Sequence, residues 1–214
     1  LEADCNLTSG ESLVRQFIHG KRFFREEFGV DNRILWLPDV FGYSGALPQI
    51  MKKSGIDYFM TTKLSWNQFN EVPFDTFEWR GIDGSEVLTH FITTLSIGQN
   101  VQNFFTTYNG LLHPDAIMGG WERYQNKEIN NDILISYGYG DGGGGPTREM
   151  VETAERCRDL EGAPRCRMEP PAAFFDRALE EEIPNVWRGE LYLAWHRGTL
   201  TAQAETKRGI RKAE

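Results

Sequence analysis

Two aspartates stand where a folded chain could use them. Asp39 follows Trp36-Leu37-Pro38 and precedes Val40-Phe41-Gly42-Tyr43, while Asp141 sits among glycines in Gly138-Tyr139-Gly140-Asp141-Gly142-Gly143. Each comes directly after a short apolar run of strand character, residues 33–37 and 133–137, and α/β folds place their chemistry at strand ends. Two loop carboxylates at the ends of different strands suit a glycosidase, one as nucleophile and one as proton donor. Trp36, Phe41 and Tyr43 lie close by and could stack on the apolar faces of sugar rings. The commoner fate of an aspartate after proline is a turn that caps the next helix, and the residues alone leave both readings open.

The glycine run admits a different chemistry. Residues 138–143 satisfy G-x-G-x-x-G between a strand and a helix, the pattern of a dinucleotide-binding turn. Such a site also wants an acidic residue ending a second strand about 20 positions on, and Glu161 falls at a helix end instead. A phosphate loop is spaced correctly over 140–145, but Pro146 stands where lysine should be. A nucleotide-binding α/β module is therefore the alternative function. The plain alternative to both is a flexible turn; Asp141, a carboxylate held between glycines just past a strand end, tilts the loop toward function, because backbone can approach a ligand closely there.

Local patterns supply the elements that must carry these loops. A helix is expected over 11–28, with Thr8-Ser9-Gly10-Glu11 as a capping box and Leu13, Val14, Phe17, Ile18, Phe24 and Phe28 as a stripe against a sheet. Buried strands are expected over 33–37 and 57–62, with a helix over 46–54 between them, which suggests parallel βαβ units. Residues 74–79 and 86–92 flank Asp83-Gly84 and read as a hairpin. Further helices are expected over 114–125, 147–160, 171–182 and 199–214, and strands over 133–137 and 186–194.

Composition narrows the function class. With 31 acidic against 23 basic residues, a formal charge of -8 and no long basic run, nucleic acid is not the expected partner. No stretch approaches the roughly 20 apolar residues of a membrane span, and no secretory leader is evident at residues 1–4. Cys5, Cys157 and Cys166 are odd in number and lack C-x-x-C spacing, which favours a reducing cytosol and a cytoplasmic location. The chain lacks an initial Met and stops within a helical pattern, so a piece of a longer protein is expected.

Several motifs in order carry a resemblance. Trp36-Leu37-Pro38-Asp39-Val40-Phe41-Gly42-Tyr43-Ser44, Leu47-Pro48-Gln49, Thr62-Lys63-Leu64-Ser65-Trp66-Asn67, Gly138-Tyr139-Gly140-Asp141 and Pro146-Thr147, then Gly189-Glu190-Leu191-Tyr192 with His196-Arg197-Gly198-Thr199, resemble the glycoside hydrolase family 38 α-mannosidases of the bacterial and cytosolic branch. The resemblance implies an incomplete (β/α) barrel-like catalytic domain over 1–197, leading into a helical bundle that starts at 198–214. It implies zinc-assisted, retaining hydrolysis of α-mannosides in oligosaccharides, and it allows a homo-oligomer in the full-length protein. Asp39 matches the nucleophile and a zinc ligand, and Asp141 best matches the acid/base. Phe41 matches an aromatic that packs on the sugar, with Trp36 and Tyr43 beside it; Lys63 falls where relatives carry a basic residue, and His196 lies next to the sugar site. The remaining zinc ligands are expected outside this chain. Of the other histidines, His19 is expected at the surface, His113 in a loop and His90 in the core.

Overall fold

Ser9 starts the first helix. Its side-chain oxygen accepts the Ser12 amide, and α1 runs over Gly10–Phe28 until Gly29, at φ +67, turns the chain out. The expected capping box is thus corrected by one residue: Ser9 caps, and Thr8 lies outside the helix. The expected stripe is corrected too. Only Leu13 is buried, Val14 and Phe17 are half-buried, and Ile18, Phe24 and Phe28 are exposed.

The computed structural model describes residues 3–67, 69–96 and 105–214. After α1 come β1 (Ile34–Trp36), β2 (Gly42–Tyr43), α2 (Leu47–Lys53) and β3 (Tyr58–Thr61). There follow β4 (Thr76–Arg80), β5 (Glu86–Phe91), α3 (Pro114–Arg123), α4 (Arg148–Arg156), α5 (Pro171–Ala178), β6 (Val186–Arg188), β7 (Leu191–Tyr192) and α6 (Ala204–Ala213). Five strands form one sheet in the order β1-β3-β5-β4-β6, and β2 pairs separately with β7.

The expected parallel units are present in β1, β3 and β5, which pair in parallel. The Asp83-Gly84 step does close an antiparallel hairpin between β4 and β5. Period-two alternation then sorts the core into two layers. Phe59 and Phe91 face Tyr43, Leu47, Met51, Phe77 and Trp79 on the α2 side, while Tyr58, Met60 and Leu88 meet Phe174 and Phe175 of α5 on the other. The Tyr58 and Phe175 rings stack at 4.8 Å.

Among the described residues the main sheet is open, with β1 and β6 at its edges, and the expected strands need correction. Being an edge, β1 is only half-buried and its Trp36 is exposed. Residues 133–137 form no strand: the Leu134 amide donates to the His90 ring at 3.3 Å, and only Tyr137 makes an isolated bridge, to Gly110. Residues 186–194 form two strands rather than one, because Gly189, at φ +92, redirects the chain from β4 toward β2. α6 buries none of its residues against the described chain.

His90 is the core histidine the pattern implied, fully buried, with Nδ1 against the Thr76 hydroxyl and Nε2 accepting from Leu134. Burial lowers its pKa from 6.5 to about 3, so the unfolded chain binds a proton that the folded chain refuses. Stability is therefore expected to fall as pH drops from about 6.5 toward 3, by up to about 1.4 kcal/mol per pH unit from this group. Urea midpoints for wild type and His90→Gln check it: the pH dependence in that window should flatten in the variant.

Candidate active site

The β1–β3 ladder does not stop where the strands do. Leu37 N donates to Met60 O, and the Pro38 carbonyl then accepts the amides of both Thr62 and Lys63. Proline contributes no donor at this point but keeps its acceptor, so the two chain ends leave the sheet side by side. Asp39 and Lys63 are delivered opposite each other, with Nζ 2.9 Å from Asp39 Oδ1. Their side chains are 28% and 12% exposed, respectively, so the ion pair is more shielded than an ordinary surface bridge. Apart from this ion pair, Asp39 Oδ1 is buried with no hydrogen-bond partner among the described residues. The ammonium also sits 3.7 Å from the Trp66 ring centroid, a cation–π contact.

A second strand end brings the partner. Thr107 N donates to Thr94 O beyond β5, and Thr106 is tied to Thr62 O, to the Ser65 hydroxyl and to the Trp66 indole. This clamp directs Tyr108 and Asn109 toward the ends of β1 and β3. Gly110 then exchanges backbone bonds with Ser136 and Gly138, and that register sets the glycine-rich loop against Tyr108. The loop is closed by reciprocal bonds between Tyr139 and Gly145. Asp141 sits in it at φ +52, a conformation aspartate tolerates better than most residues.

The result joins the two aspartates through one hydroxyl. Tyr108 Oη lies 2.9 Å from Asp39 Oδ2 and 2.5 Å from Asp141 Oδ1. Asn109 Nδ2 approaches Asp141 Oδ2 at 3.4 Å. Burial and the hydrogen bonds to Asp141 and Asp39 push the tyrosine pKa far up, so the phenol stays neutral. Neither Tyr108 nor Asn109 stood out in the sequence; their one signal, the Asn109-Gly110 step, reads as a turn.

The other expected site residues divide. Phe41 and His196 come together, ring centroids 4.8 Å apart, with Trp66 at 6.0 Å from His196. They are held there by the β2–β7 pair and by Asn67, whose amide bonds Tyr192 O and Ala194 N. Burial and nearby Lys63 lower the His196 pKa, with Asp39 opposing, so the ring is neutral at pH 7. Its Nδ1 is buried and has no hydrogen-bond partner among the described residues. Tyr43 is not at the surface: it is fully buried, and its hydroxyl is bound to Leu37 O, Val40 O and Thr61 Oγ1. Trp36 lines a groove between α1 and β1, beside Leu13, Phe17 and Phe24.

A zinc ion needs three or more protein donors. Among the described residues, no group of three His, Cys, Asp or Glu converges, and the buried Asp39 oxygen that lacks a donor already faces an ammonium. The residues present thus do not fit a complete zinc site. His19 and His113 are exposed, the latter preceding α3, and His90 is committed to the core.

Residues 1–197 match the model of the glycosyl hydrolases family 38 N-terminal domain. Over its whole length the chain is 45% identical to alpha-mannosidase G of Dictyostelium discoideum, 41% to an alpha-mannosidase of Saccharomyces cerevisiae and 42% to human alpha-mannosidase 2C1. It spans 19–20% of the length of these relatives. In structure, 86% of the chain superposes on 20% of an alpha-mannosidase from Enterococcus faecalis, with a TM-score of 0.63 at 18% identity.

Gly140 shows how tightly the site is packed. A Cβ there would lie 2.2 Å from Asn109 Oδ1 and 3.0 Å from Tyr108 Cε2. Gly140→Ala is therefore expected to destabilise the fold by about 1–3 kcal/mol. Gly20→Ala, inside α1 with nothing within 4 Å, should instead stabilise by about 0.5–1 kcal/mol. Denaturant midpoints of the two variants check both signs.

Proposed function

Because the chain belongs to glycosyl hydrolase family 38, as its N-terminal domain, we propose that the protein carrying it is a retaining α-mannosidase with Asp39 as nucleophile and Asp141 as acid/base. One observation carries the reading: both carboxylates bond the same hydroxyl, at 2.9 and 2.5 Å. Their bonded oxygens are therefore no farther apart than the sum of those distances. That upper limit admits the about 5–5.5 Å of retaining carboxylate pairs and is short of the about 6.5–9.5 Å that an inverting pair needs to admit water.

The chain's own residues divide the work. The Lys63 ammonium holds the Asp39 carboxylate in place at 2.9 Å, so that an Asp39 oxygen is aimed at the anomeric carbon. Asp141, on an exposed loop, gives its proton to the leaving oxygen, then takes one from the water that releases the sugar. Phe41 and His196 form the apolar wall against the mannose ring. Tyr43 shapes the Asp39 loop from inside the core, and Trp36 serves the α1 groove; neither is proposed as a sugar contact.

Zinc stays part of the proposal as a family expectation: it would bind sugar hydroxyls and help distort the ring. Asp39 is the one donor offered, and the others must come from outside the described residues. A neutral sugar substrate suits the acidic chain as a nucleic acid does not. Among the described residues no helix is long and apolar enough to cross a membrane, and Cys5, Cys157 and Cys166 are free thiols. The thiols support a cytosolic setting.

In the complete protein, Asp39→Asn is expected to leave no measurable turnover of an aryl α-mannoside, and Asp141→Ala to lose about 10²–10⁴-fold on unactivated mannosides. Full activity of Asp39→Asn would remove that residue from the chemistry. The 214 residues alone should release no aryl alcohol, whereas the complete protein should do so and be inhibited by a zinc chelator.

A further inference from the structure

We propose that Trp195 and Phe105 form a stacking platform for the sugar to which the terminal mannose is attached, so that the site takes an α-linked mannose disaccharide or a longer chain rather than a single residue. The proposal rests on the function set out above and adds a second subsite to it.

The rings near Asp39 make one connected surface. Phe41 packs on His196 at 4.8 Å between centroids, and His196 lies 6.0 Å from Trp66 and 5.9 Å from Trp195. Phe105 joins the two indoles, 4.6 Å from Trp66 and 5.1 Å from Trp195. This surface is tied to Asp39 twice. Phe41 follows Asp39 by two residues, and the Lys63 ammonium that meets Asp39 also lies over the Trp66 ring. Backing one mannose uses only the Phe41 and His196 end. Trp195 lies beyond His196 and keeps 45% of its surface exposed, with Phe105 stacked against it at an interplanar angle of 29°.

The chemistry determines what can lie there. An enzyme that removes a terminal mannose has no further sugar on the mannose side of the bond it breaks, so a second pyranose belongs to the leaving group. The platform is on that side of the site. Phe105 precedes Thr106, which is clamped to Ser65 and Trp66, and the same stretch runs on to Tyr108, whose hydroxyl meets the proposed proton donor Asp141. A proton donor stands next to the leaving oxygen.

The polar groups between the rings are already engaged within the chain. The Trp66 indole donates to Thr106 O, the Asn67 amide bonds Tyr192 O and Ala194 N, and the Thr199 hydroxyl donates to His196 O. These bonds fix the rings before a ligand arrives, so little side-chain freedom is lost on binding. What the platform offers is ring face. A pyranose lays its C–H face on such rings while its hydroxyls stay in water. Recognition of this kind selects a flat, partly apolar ring and is tolerant of which hydroxyl carries the linkage.

Trp195→Ala in the complete protein tests this through the leaving group. An α-linked mannobiose places a pyranose on the platform, whereas α-mannosyl fluoride, whose leaving group is one atom, places nothing there. The ratio of kcat/KM for mannobiose to that for the fluoride should fall about tenfold in Trp195→Ala and return to within about twofold of wild type in Trp195→Phe, which keeps a ring. An unchanged ratio in Trp195→Ala would overturn the proposal, and so would an equal fall in Trp195→Phe. Binding gives a readout that needs no turnover. A sulfur-linked mannobiose should bind wild type about tenfold more tightly than methyl thiomannoside, and Trp195→Ala should abolish the difference; equal binding of the two sugars by wild type would contradict it. If wild type hydrolyses no α-mannoside, the proposed function falls, and the binding measurement still decides the platform. Loss of a dimer in Trp195→Ala, with sugar binding unchanged, would assign these rings to a second copy of the chain and overturn the proposal.

Discussion

The ion pair between Asp39 and Lys63 is the contact around which the site is built, and it is a product of strand register. A parallel pair cannot be closed by a tight turn and needs a crossover, here α2, whose Leu47 and Met51 are fully buried on the sheet. Once the crossover fixes β1 against β3, the pairing runs on through the Pro38 carbonyl. Asp39 and Lys63 then have nowhere else to go. A shift of one residue would turn Tyr58 and Phe59 to the wrong layers, so the same burial that stabilises β3 also determines which charge faces Asp39.

The second carboxylate is placed by a different physics. No regular strand carries residues 133–145; a single bridge to Gly110 and a self-closed loop do. Such a segment has few buried apolar contacts to fix it, and its backbone freedom is large. Side-chain hydrogen bonds from Tyr108 and Asn109 supply the missing constraint. In the proposed roles, a nucleophile fixed by strand register and an acid tethered on a loop divide the labour: attack depends on alignment with the anomeric carbon, while the proton must reach leaving groups of differing shape.

Much of the fold could be read from the residues because burial is periodic there. Tyr58 to Thr61, with every side chain inside, and Phe77 and Trp79 on alternate positions left little ambiguity. The errors lie where an apolar run serves a purpose other than a central strand. Ile34 to Trp36 is apolar at an open edge, and residues 133–137 donate to a histidine ring rather than a neighbouring strand. Asp39 does meet Lys63, and Phe41 does meet His196, as the motif order suggested, but Tyr43 misled: an aromatic beside a carboxylate looks the same whether it faces a cleft or, as here, anchors three backbone and side-chain groups in the core. Tyr108 was not legible, because its role depends on a clamp at Thr106 that links it to residues 40 positions away.

Trapping the glycosyl-enzyme tests the central claim most directly. The complete protein would be treated with a 5-fluoro mannosyl fluoride, whose electron-withdrawing fluorine slows release of the intermediate, and the labelled peptide would be identified by mass spectrometry. The account predicts one covalent sugar, on Asp39 in the peptide containing Trp36-Leu37-Pro38-Asp39-Val40-Phe41. A label on another carboxylate, or turnover of the reagent with inversion at the anomeric carbon and no adduct, would contradict it.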